Sequence, residues 1–285
     1  MKEIKTVGIV GAGTMGQGIA LSCALSGYAT LLFDISPGFS EKALQRIRQS
    51  IDQSVLKGKL AKETGAQGLD RIKIVHDLAD LRADLIIEAV VENLEVKQKL
   101  FADLERVNST ETILATNTSS ISITQIASAL QDPSRFVGLH FFNPAHLMKL
   151  VEVISGKQTN PEIALAMMTF SKSLGKTPVE VKDSPGFIVN RVARHFYVES
   201  LKLLEEGISD VRGIDQLLRS SGFRMGPFEL MDLIGIDVNY AVTTSVYEGF
   251  NRHPKFKPSE IQKMKIDQGQ LGRKTGKGFY DYPQK

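Results

Sequence analysis

The sequence predicts an α/β fold in which a doubly wound, largely parallel sheet is followed by an all-helical C-terminal domain. Two observations carry this prediction. Over the first 182 residues, short apolar runs of strand length alternate with helical stretches, which is typical of a parallel sheet covered by helices on both faces. Beyond residue 182, helical spacing continues with almost no strand signal. We therefore expect two domains, residues 1–182 and 183–285.

The elements of the first domain follow in order along the chain. A β-branched run, residues 6–10, ends in Gly11, and helical spacing follows over 15–26. A second apolar run, 31–33, completes a strand–turn–helix–strand unit. Further runs of strand length occupy 72–75, 85–89, 113–115, 136–139 and 151–154. Between them, helices are predicted most clearly over 94–107 and 123–130.

The pattern changes at Asp183-Ser184-Pro185-Gly186, where proline and glycine interrupt the chain before a long helical stretch, 187–206. Helical spacing then recurs over 214–220, 227–234, 237–249 and 259–268. The tail, 272–282, is rich in glycine and lysine and is predicted as loop.

The composition excludes several classes of protein. Charged residues make up 24% and hydrophobic residues 42%, which is typical of a soluble globular chain. The net charge of +3 is too small to indicate nucleic-acid binding. The one cysteine, Cys23, permits no intrachain disulfide and indicates a reducing compartment. No apolar stretch approaches the roughly 20 residues of a membrane span, and no signal peptide precedes the first strand. We expect a cytoplasmic protein with no membrane or nucleic-acid partner and no metal site.

A glycine-rich turn joins the first strand to the first helix and reads Gly11-Ala12-Gly13-Thr14-Met15-Gly16. In a GxGxxG turn the first glycine permits the tight bend, the second lets the backbone approach a pyrophosphate, and the third lets helix and strand pack closely. The helix N-terminus offers N–H groups and a positive dipole end to phosphates. This context predicts a dinucleotide site on a Rossmann-type sheet; the alternative is a turn that only packs a helix.

Asp34 follows the second predicted strand, eighteen residues after Gly16. At this place a carboxylate accepts hydrogen bonds from the adenosine ribose and repels a 2′-phosphate. The residues that follow, Ile35-Ser36-Pro37, include no arginine that could accommodate such a phosphate. The sequence therefore predicts NAD rather than NADP.

Residues 138–154 read GLHFFNPAHLMKLVEVI, with His140 and Asn143 in a short turn and Glu152 twelve positions after His140. A neutral imidazole suits proton transfer because its pKa lies near working pH. A carboxylate on the other ring nitrogen fixes the tautomer and stabilises the imidazolium. With the glycine turn, these residues indicate hydride transfer at an alcohol carbon. The alternatives are a buried histidine that only satisfies a hydrogen bond and a solvated strand glutamate.

Over almost its whole length the sequence resembles the 3-hydroxyacyl-CoA dehydrogenase family, and within it the short bacterial 3-hydroxybutyryl-CoA dehydrogenases. The motifs that carry the resemblance are GAGTMGQGIA from Gly11, EAVVENLEVK from Glu88, NTSSISIT from Asn117, GLHFFNP from Gly138, MKLVEVI from Met148, DSPGFIVNR from Asp183, LLEEG from Leu203, MGPFELMDLIGID from Met225 and LGRKTGKGFYDY from Leu271. The resemblance implies an NAD-dependent enzyme that interconverts (S)-3-hydroxyacyl-CoA and 3-oxoacyl-CoA, with 3-hydroxybutyryl-CoA-like substrates.

The resemblance also implies roles for individual side chains. His140 would be the base in oxidation and the acid in reduction, with Glu152 as its carboxylate partner. Ser119 would bond the substrate's 3-oxygen or lie between substrate and nicotinamide, and Asn190 would seat the thioester and polarise the reacting centre. Asn143 would touch the nicotinamide end. The other matching positions are Glu92, Lys97 and Lys274 around the cofactor, and Ser50 and Lys57 along the CoA portion.

Each of these assignments has a structural alternative. Ser119 could cap the helix that follows it, and Asn190 could cap or brace its own helix. Lys97 could belong to a solvated helix face, and Lys57 could solvate the surface with the other lysines of 57–62. Lys274 could serve only to order the tail.

Two departures from the family pattern concern the substrate. His146 stands where the family usually has a second proline after the FNP turn, which should loosen that loop, and we give it no catalytic role. Residues 252–264 lack the family's proline-rich pattern, which leaves the acyl chain length undetermined. We expect a homodimer, because the helical segment 192–204 carries more apolar surface than one monomer hides.

Two other functions remain open. One is a small 3-hydroxyacid dehydrogenase with a lysine base, for which Lys182 is the candidate. The other is a dinucleotide-binding sensor or structural protein with a vestigial site.

Overall fold

In the computed structural model, which describes residues 3–283, eight strands form one sheet. The strands are β1 (Thr6–Val10), β2 (Ala29–Phe33), β3 (Ile72–Val75), β4 (Leu85–Glu88), β5 (Ile113–Thr116), β6 (Phe136–Phe141), β7 (Leu150–Ser155) and β8 (Thr177–Lys182). Their spatial order is β3-β2-β1-β4-β5-β6-β7-β8. The pairs from β3 to β6 are parallel. β7 pairs antiparallel with β6, and β8 runs parallel to β7.

The order starts at β1 in the interior of the sheet and extends outward on both sides, which confirms the predicted doubly wound α/β fold. All four residues of β4 are buried, as are Val7 and Ile9 of β1. Both faces of these central strands are therefore covered, as their continuous apolar sequence indicates. Because β1, β2, β4, β5 and β6 are parallel, the segments that follow them lie along one edge of the sheet.

Six helices accompany the sheet within the described part of this first unit. They are α1 (Thr14–Leu25), α2 (Pro37–Leu56), α3 (Lys62–Asp70), α4 (Leu94–Val107), α5 (Ile123–Ala127) and α6 (Pro161–Ser173). α1 and α6 contribute to the same buried core as the strands, through Ile19 and Met167 among others.

The second unit is built from helices, and no strand of a sheet occurs between residues 185 and 283. Its helices are α7 (Val189–Glu205), α8 (Val211–Ser220), α9 (Pro227–Ile234), α10 (Ile236–Gly249) and α11 (Glu260–Asp267). They enclose a core of their own, which includes Leu201, Phe228 and Met231. The all-helical prediction for this region is confirmed.

The tail that the sequence predicts as loop is held in place by a buried carboxylate. Asp232, at 1% exposure, accepts hydrogen bonds from the backbone N–H groups of Phe279 and Tyr280, both at 2.9 Å. The tail also includes a short 3₁₀ helix, Arg273–Thr275. It is therefore irregular in backbone but fixed in position.

Four of the helices and strands, α2, α3, α6 and β8, were assigned no range from the sequence. β8 lies at the edge of the sheet, most of its residues are exposed, and it contains Pro178. Proline is tolerated on an edge strand but weakens the strand signal in the sequence.

The boundary between the units falls between Ser184 and Pro185, two residues beyond the predicted position. The Asp183 carboxylate accepts hydrogen bonds from the Ser122 hydroxyl at 2.7 Å and the Thr124 N–H at 2.9 Å, which ties Asp183 to the first unit. Gly186 and Phe187 then have φ values of 72° and 50°. Because such angles are incompatible with a right-handed helix, α7 begins only at Val189 rather than at the predicted residue 187.

Among residues 3–283, no helix combines the length and apolar character that a membrane crossing requires.

Candidate active site

His140 and Glu152 face each other on adjacent strands. They are direct partners in the antiparallel register of β6 and β7, and His140 Nδ1 lies 2.8 Å from Glu152 Oε2. The two residues are 6% and 1% exposed, so the interpretation of Glu152 as a solvated strand residue is wrong. The sequence places His140 in a short turn after the predicted strand 136–139, whereas the structure places it inside β6, paired with Glu152 of β7. The carboxylate thereby engages one ring nitrogen and fixes the plane of the imidazole.

The loop between these strands is tied to its surroundings at several points. The Phe141 N–H donates to Asn117 Oδ1 at 2.9 Å, which links the end of β6 to the turn after β5. The Phe142 ring packs against the His140 ring with centroids 4.4 Å apart. Asn143 is exposed in this loop, and its peptide bond to Pro144 is cis.

The glycine-rich turn has the geometry that a dinucleotide turn requires. Gly11 has a φ of 104°, and a Cβ there would lie 2.6 Å from the Ala89 carbonyl oxygen. A Cβ at Gly16 would lie 1.8 Å from the Gly11 carbonyl oxygen. Packing therefore requires glycine at both positions. A Cβ at Gly13 would meet no protein atom within 4 Å, so contacts within the protein do not require glycine at this position.

Asp34 closes this turn from the end of β2. Its Oδ2 accepts from the Ala12 N–H at 2.8 Å, and its Oδ1 accepts from the Ser36 N–H at 3.0 Å. The first turn of α1, which begins with Thr14 and Met15, carries no acidic side chain. The positive end of the helix dipole is therefore not neutralised by its own helix.

Lys97 is buried, which contradicts its interpretation as part of a solvated helix face. The side chain is 1% exposed, and its ammonium lies 2.5 Å from Glu88 Oε1 and 3.3 Å from Glu92 Oε2. α4 therefore directs a positive charge toward the edge of the sheet at which β4 and β5 end.

Glu92 connects this lysine to the turn after β5. Its Oε1 accepts from the Thr118 hydroxyl at 2.6 Å and from the Ser119 N–H at 2.9 Å. Partial burial is the largest influence on the Glu92 carboxyl and acts to raise its pKa. The Lys97 charge and the hydrogen bonds from Thr118, Ser119 and Lys97 together outweigh it, so that the pKa is lowered.

Ser119 does not cap the following helix, so that alternative is wrong. The N-cap of α5 is Ser122, whose hydroxyl oxygen accepts from the Gln125 N–H. The Ser119 hydroxyl instead lies 3.3 Å from Glu92 Oε1. Glu92, from the neighbouring strand connection, therefore contributes to its position.

Ser50 and His146 line one cavity together with Asn143, between α1, α2 and the loop after β6. Burial, followed by the Lys176 charge, lowers the pKa of the His146 ring. Lys57 lies at the end of α2 and is exposed. Of the two residues predicted to contact the CoA portion, only Ser50 thus lies beside the Asn143 loop.

Asn190 and Lys274 belong to the second unit. Asn190 is the second residue of α7, and the N-cap position of that helix is Ile188, so Asn190 does not cap it. Lys274 lies in the short 3₁₀ helix of the tail, with its ammonium 2.6 Å and 2.7 Å from the two carboxylate oxygens of Asp237. Lys274 thus contributes to fixing the tail.

Glu88 and Lys176 are among the buried charges of the first unit that sequence reasoning missed. Glu88 is completely buried at the end of β4, and the only sequence signal was one acid in an apolar run. Lys176 is 9% exposed and donates to the carbonyl oxygens of Ala145 at 2.6 Å and Met148 at 2.9 Å. It holds the loop that carries Asn143, and no local sequence pattern indicates this.

Across the described chain, 3–283, no three His, Cys, Asp or Glu side chains come together in a way that could hold a metal ion.

Two family models match the chain. Residues 6–184 match the model described as 3-hydroxyacyl-CoA dehydrogenase, NAD binding domain. Residues 186–282 match the model described as 3-hydroxyacyl-CoA dehydrogenase, C-terminal domain.

Similar proteins carry related names. A 3-hydroxyadipyl-CoA dehydrogenase of Escherichia coli (strain K12) is 48% identical over 284 residues, which cover 99% of this chain and 60% of that protein. The chain therefore spans about three fifths of this relative. A probable 3-hydroxybutyryl-CoA dehydrogenase of Bacillus subtilis (strain 168) is 38% identical over 285 residues, 99% of each chain.

Solved structures agree with these matches. A 3-hydroxybutyryl-CoA dehydrogenase from Escherichia coli K12 has a TM-score of 0.97 at 47% identity, covering 100% of this chain and 61% of that one. An (S)-3-hydroxybutyryl-CoA dehydrogenase from Ralstonia eutropha has a TM-score of 0.95 at 40% identity, covering 99% of this chain and 100% of that one.

Proposed function

Because this chain belongs to the 3-hydroxyacyl-CoA dehydrogenase family, we propose that it interconverts (S)-3-hydroxyacyl-CoA and 3-oxoacyl-CoA thioesters with NAD as cofactor. The observation that carries the proposal is the buried His140–Glu152 pair, with Nδ1 and Oε2 2.8 Å apart. Both residues and the glycine-rich turn belong to the same unit of the chain.

The residues of the first unit fit an NAD molecule. A side chain at Gly13 would project into space that the protein itself leaves open, which is where the backbone of such a turn approaches the pyrophosphate. Asp34, oriented by two backbone N–H groups, would accept hydrogen bonds from the ribose hydroxyls. When bound, NAD⁺ supplies the hydride acceptor for oxidation, and NADH supplies the hydride donor for reduction.

His140 would transfer the proton. In oxidation its Nε2 would take the proton of the substrate's 3-hydroxyl while Nδ1–H donates to Glu152. The negative charge of Glu152 stabilises the imidazolium that forms, because the two groups are close and buried. In reduction the imidazolium would return the proton to the 3-oxygen. Strand pairing holds the two side chains together, so little reorganisation is needed during the reaction.

To donate a hydrogen bond to the substrate's 3-oxygen, the Ser119 hydroxyl would turn away from Glu92 Oε1, 3.3 Å distant, while the Ser119 N–H stays bonded to that oxygen. Asn143 would contact the nicotinamide end, and Glu92 and Lys97 would line the cofactor pocket. The roles of Asn190 at the thioester, of Lys274 at the cofactor, and of Ser50 and Lys57 along the CoA portion rest on the family resemblance.

The acyl chain of the substrate is the open part of the proposal. Relatives are named for 3-hydroxyadipyl-CoA and for 3-hydroxybutyryl-CoA, and we propose the four-carbon thioester. The test is the loss of NADH absorbance with acetoacetyl-CoA, followed by thioesters of increasing length and 3-oxoadipyl-CoA. Turnover of acetoacetyl-CoA is expected to exceed that of the others. No turnover of any thioester would refute the proposed activity.

Free 3-hydroxybutyrate separates this activity from a lysine-based hydroxyacid dehydrogenase. Lys182, the candidate base for that alternative, is exposed at the end of β8. We expect oxidation of the CoA thioester and not of the free acid. Oxidation of the free acid at an equal rate would favour the alternative.

A homodimer formed through the second unit is part of the proposal. Several of its large apolar side chains are exposed, among them Val192 at 67%, Leu217 at 67% and Phe223 at 51%. Exposed apolar surface of this kind is typical of an interface. Sedimentation should give twice the 31.4 kDa chain mass, whereas a stable monomer would contradict the dimer.

We also propose a cytoplasmic location. Cys23 is a free, buried thiol, and burial raises its pKa to about 12. A protein with no disulfide-forming pair of cysteines is suited to a reducing compartment.

A further inference from the structure

We infer that Glu88 is a positioning residue that acts on Ser119 through Lys97 and Glu92. The inference rests on the proposed function, since it takes Ser119 as the residue that binds the substrate's 3-oxygen. Glu88 itself touches neither substrate nor cofactor in this account.

The Glu88 carboxylate is fully engaged by the protein. It lies at the end of β4 and is 0% exposed. Its Oε1 accepts from the Val90 N–H at 2.7 Å and from the Lys97 ammonium at 2.5 Å. Its Oε2 accepts from the Thr116 hydroxyl at 2.6 Å, across the β4–β5 pair. With donors on both of its oxygens, the Glu88 carboxylate is fixed in one orientation.

Lys97 is shared unequally between two carboxylates. Its ammonium is 2.5 Å from Glu88 but 3.3 Å from Glu92. Glu88 and Lys97 are buried, whereas the side chain of Glu92 is 37% exposed. Since electrostatic attraction is stronger away from water, the buried pair dominates and sets the position of the ammonium.

The Glu92 oxygen that does not face Lys97, Oε1, accepts hydrogen bonds from the turn after β5. It accepts from the Thr118 hydroxyl at 2.6 Å, from the Ser119 N–H at 2.9 Å and from the Ser120 N–H at 3.2 Å. The backbone of residues 118–120 is therefore oriented by one carboxylate oxygen, and the place of the Ser119 hydroxyl depends on it.

Removing the charge of Glu88 changes how the Lys97 ammonium is shared between Glu88 and Glu92. Lys97 would then have Glu92 as its remaining anionic partner in the cluster and would move toward it. Glu92 would turn toward the ammonium, and its hold on residues 118–120 would weaken. A shift of about 1 Å at a group that orients the substrate lowers the rate by up to roughly a hundredfold.

The test is Glu88→Gln, which preserves the shape of the side chain and removes its charge. Glu105→Gln is the matched control, because Glu105 lies on the same helix as Lys97 and forms a largely buried ion pair with Arg135 at 3.1 Å. We expect Glu88→Gln to lower kcat with acetoacetyl-CoA by roughly tenfold to a hundredfold. Glu105→Gln should lower the Tm but keep kcat within about twofold of wild type, since it shares no partner with the site.

A double-mutant cycle with Ser119→Ala distinguishes positioning from general destabilisation. If Glu88 acts through Ser119, Glu88→Gln should lower kcat by less than about threefold in the Ser119→Ala background. Multiplicative losses in the double variant, or an unchanged kcat for Glu88→Gln alone, would overturn the inference.

A second variant and a second measurement cover other outcomes. If Glu88→Gln does not fold, Thr116→Val takes its place, because it removes one donor to the same carboxylate and should also lower kcat. An unchanged kcat in Thr116→Val would overturn the inference.

If wild type fails to turn over any thioester, the proposed activity fails, and the inference is judged from calorimetric binding of acetoacetyl-CoA. Weaker binding in Glu88→Gln than in Glu105→Gln supports it, and equal binding, or none by wild type, overturns it.

Discussion

His140 and Glu152 are opposite each other in the register of two antiparallel strands, with His140 Nδ1 2.8 Å from Glu152 Oε2. Twelve residues of sequence separation thus become one cross-strand pair. The backbone hydrogen bonds of β6 and β7 hold both side chains, so their geometry does not depend on a flexible loop. This pair is the basis of the predictions about catalysis.

Replacing His140 with alanine should remove the proton-transfer group and leave the glycine-rich turn intact. We predict a loss of turnover on the order of 10²–10⁴, with a much smaller change in NADH affinity. Steady-state rates with acetoacetyl-CoA and fluorescence titration of NADH measure the two quantities. Near-normal turnover by His140→Ala would refute the assignment.

Glu152→Gln tests the role of the carboxylate. The glutamine preserves the shape of the side chain but cannot stabilise an imidazolium, and its amide can favour the wrong ring tautomer. We predict lower turnover with an unchanged circular-dichroism spectrum. Glu180→Gln on the exposed edge strand β8 is the control and should behave as wild type. A rate for Glu152→Gln equal to wild type would mean that His140 is oriented without this charge.

Asp34 should determine the choice of cofactor. Because its charge would lie beside the adenosine ribose, wild type should use NADH in preference to NADPH. Asp34→Ala should lose most of this preference by weakening NADH binding. Initial rates with both cofactors provide the measurement, and equal or better turnover of NADPH by wild type would contradict the prediction.

Glu92 should contribute to the acid sensitivity of the fold. Its pKa lies below the ordinary value of 4.5, because the Lys97 charge and the hydrogen bonds outweigh the effect of burial, which raises the pKa. A carboxyl whose pKa is lower in the folded state contributes stability that is present above its unfolded pKa and lost as the pH falls through the folded pKa. Wild type should therefore lose stability from about pH 5 downward.

Urea unfolding at a series of pH values measures this effect. Between about pH 6 and pH 3, Glu92→Gln should lose less unfolding free energy than wild type. Glu95→Gln, an exposed change on α4, should retain the wild-type slope. Identical slopes for wild type and Glu92→Gln would show that the Glu92 contacts do not stabilise its charge.

The glycine-rich turn and the His140–Glu152 pair could be identified from the sequence because each combines a local pattern with a specific chemical requirement. Gly11 and Gly16 are required by backbone contacts within a few ångströms, so the motif directly reflects the geometry. His140 and Glu152 were identified as partners, but their exact pairing depends on β7 running antiparallel to β6, which periodicity does not reveal.

Lys97 and Glu88 show where the sequence was insufficient. The segment EVKQK has the charge pattern of a solvated helix face, and only the tertiary position of α4 beside the ends of β4 and β5 buries Lys97. Lys176 and β8 were missed for related reasons. The partners of Lys176 are backbone carbonyls about thirty residues away, and β8 is an edge strand that contains a proline.

The most direct test of the account is a crystal structure of the ternary complex with NAD and a 3-oxoacyl-CoA or 3-hydroxyacyl-CoA thioester. The account predicts His140 Nε2 about 2.6–3.2 Å from the substrate's 3-oxygen, with Nδ1 still bonded to Glu152. An imidazole out of reach of that oxygen, directly or through one water, would contradict it.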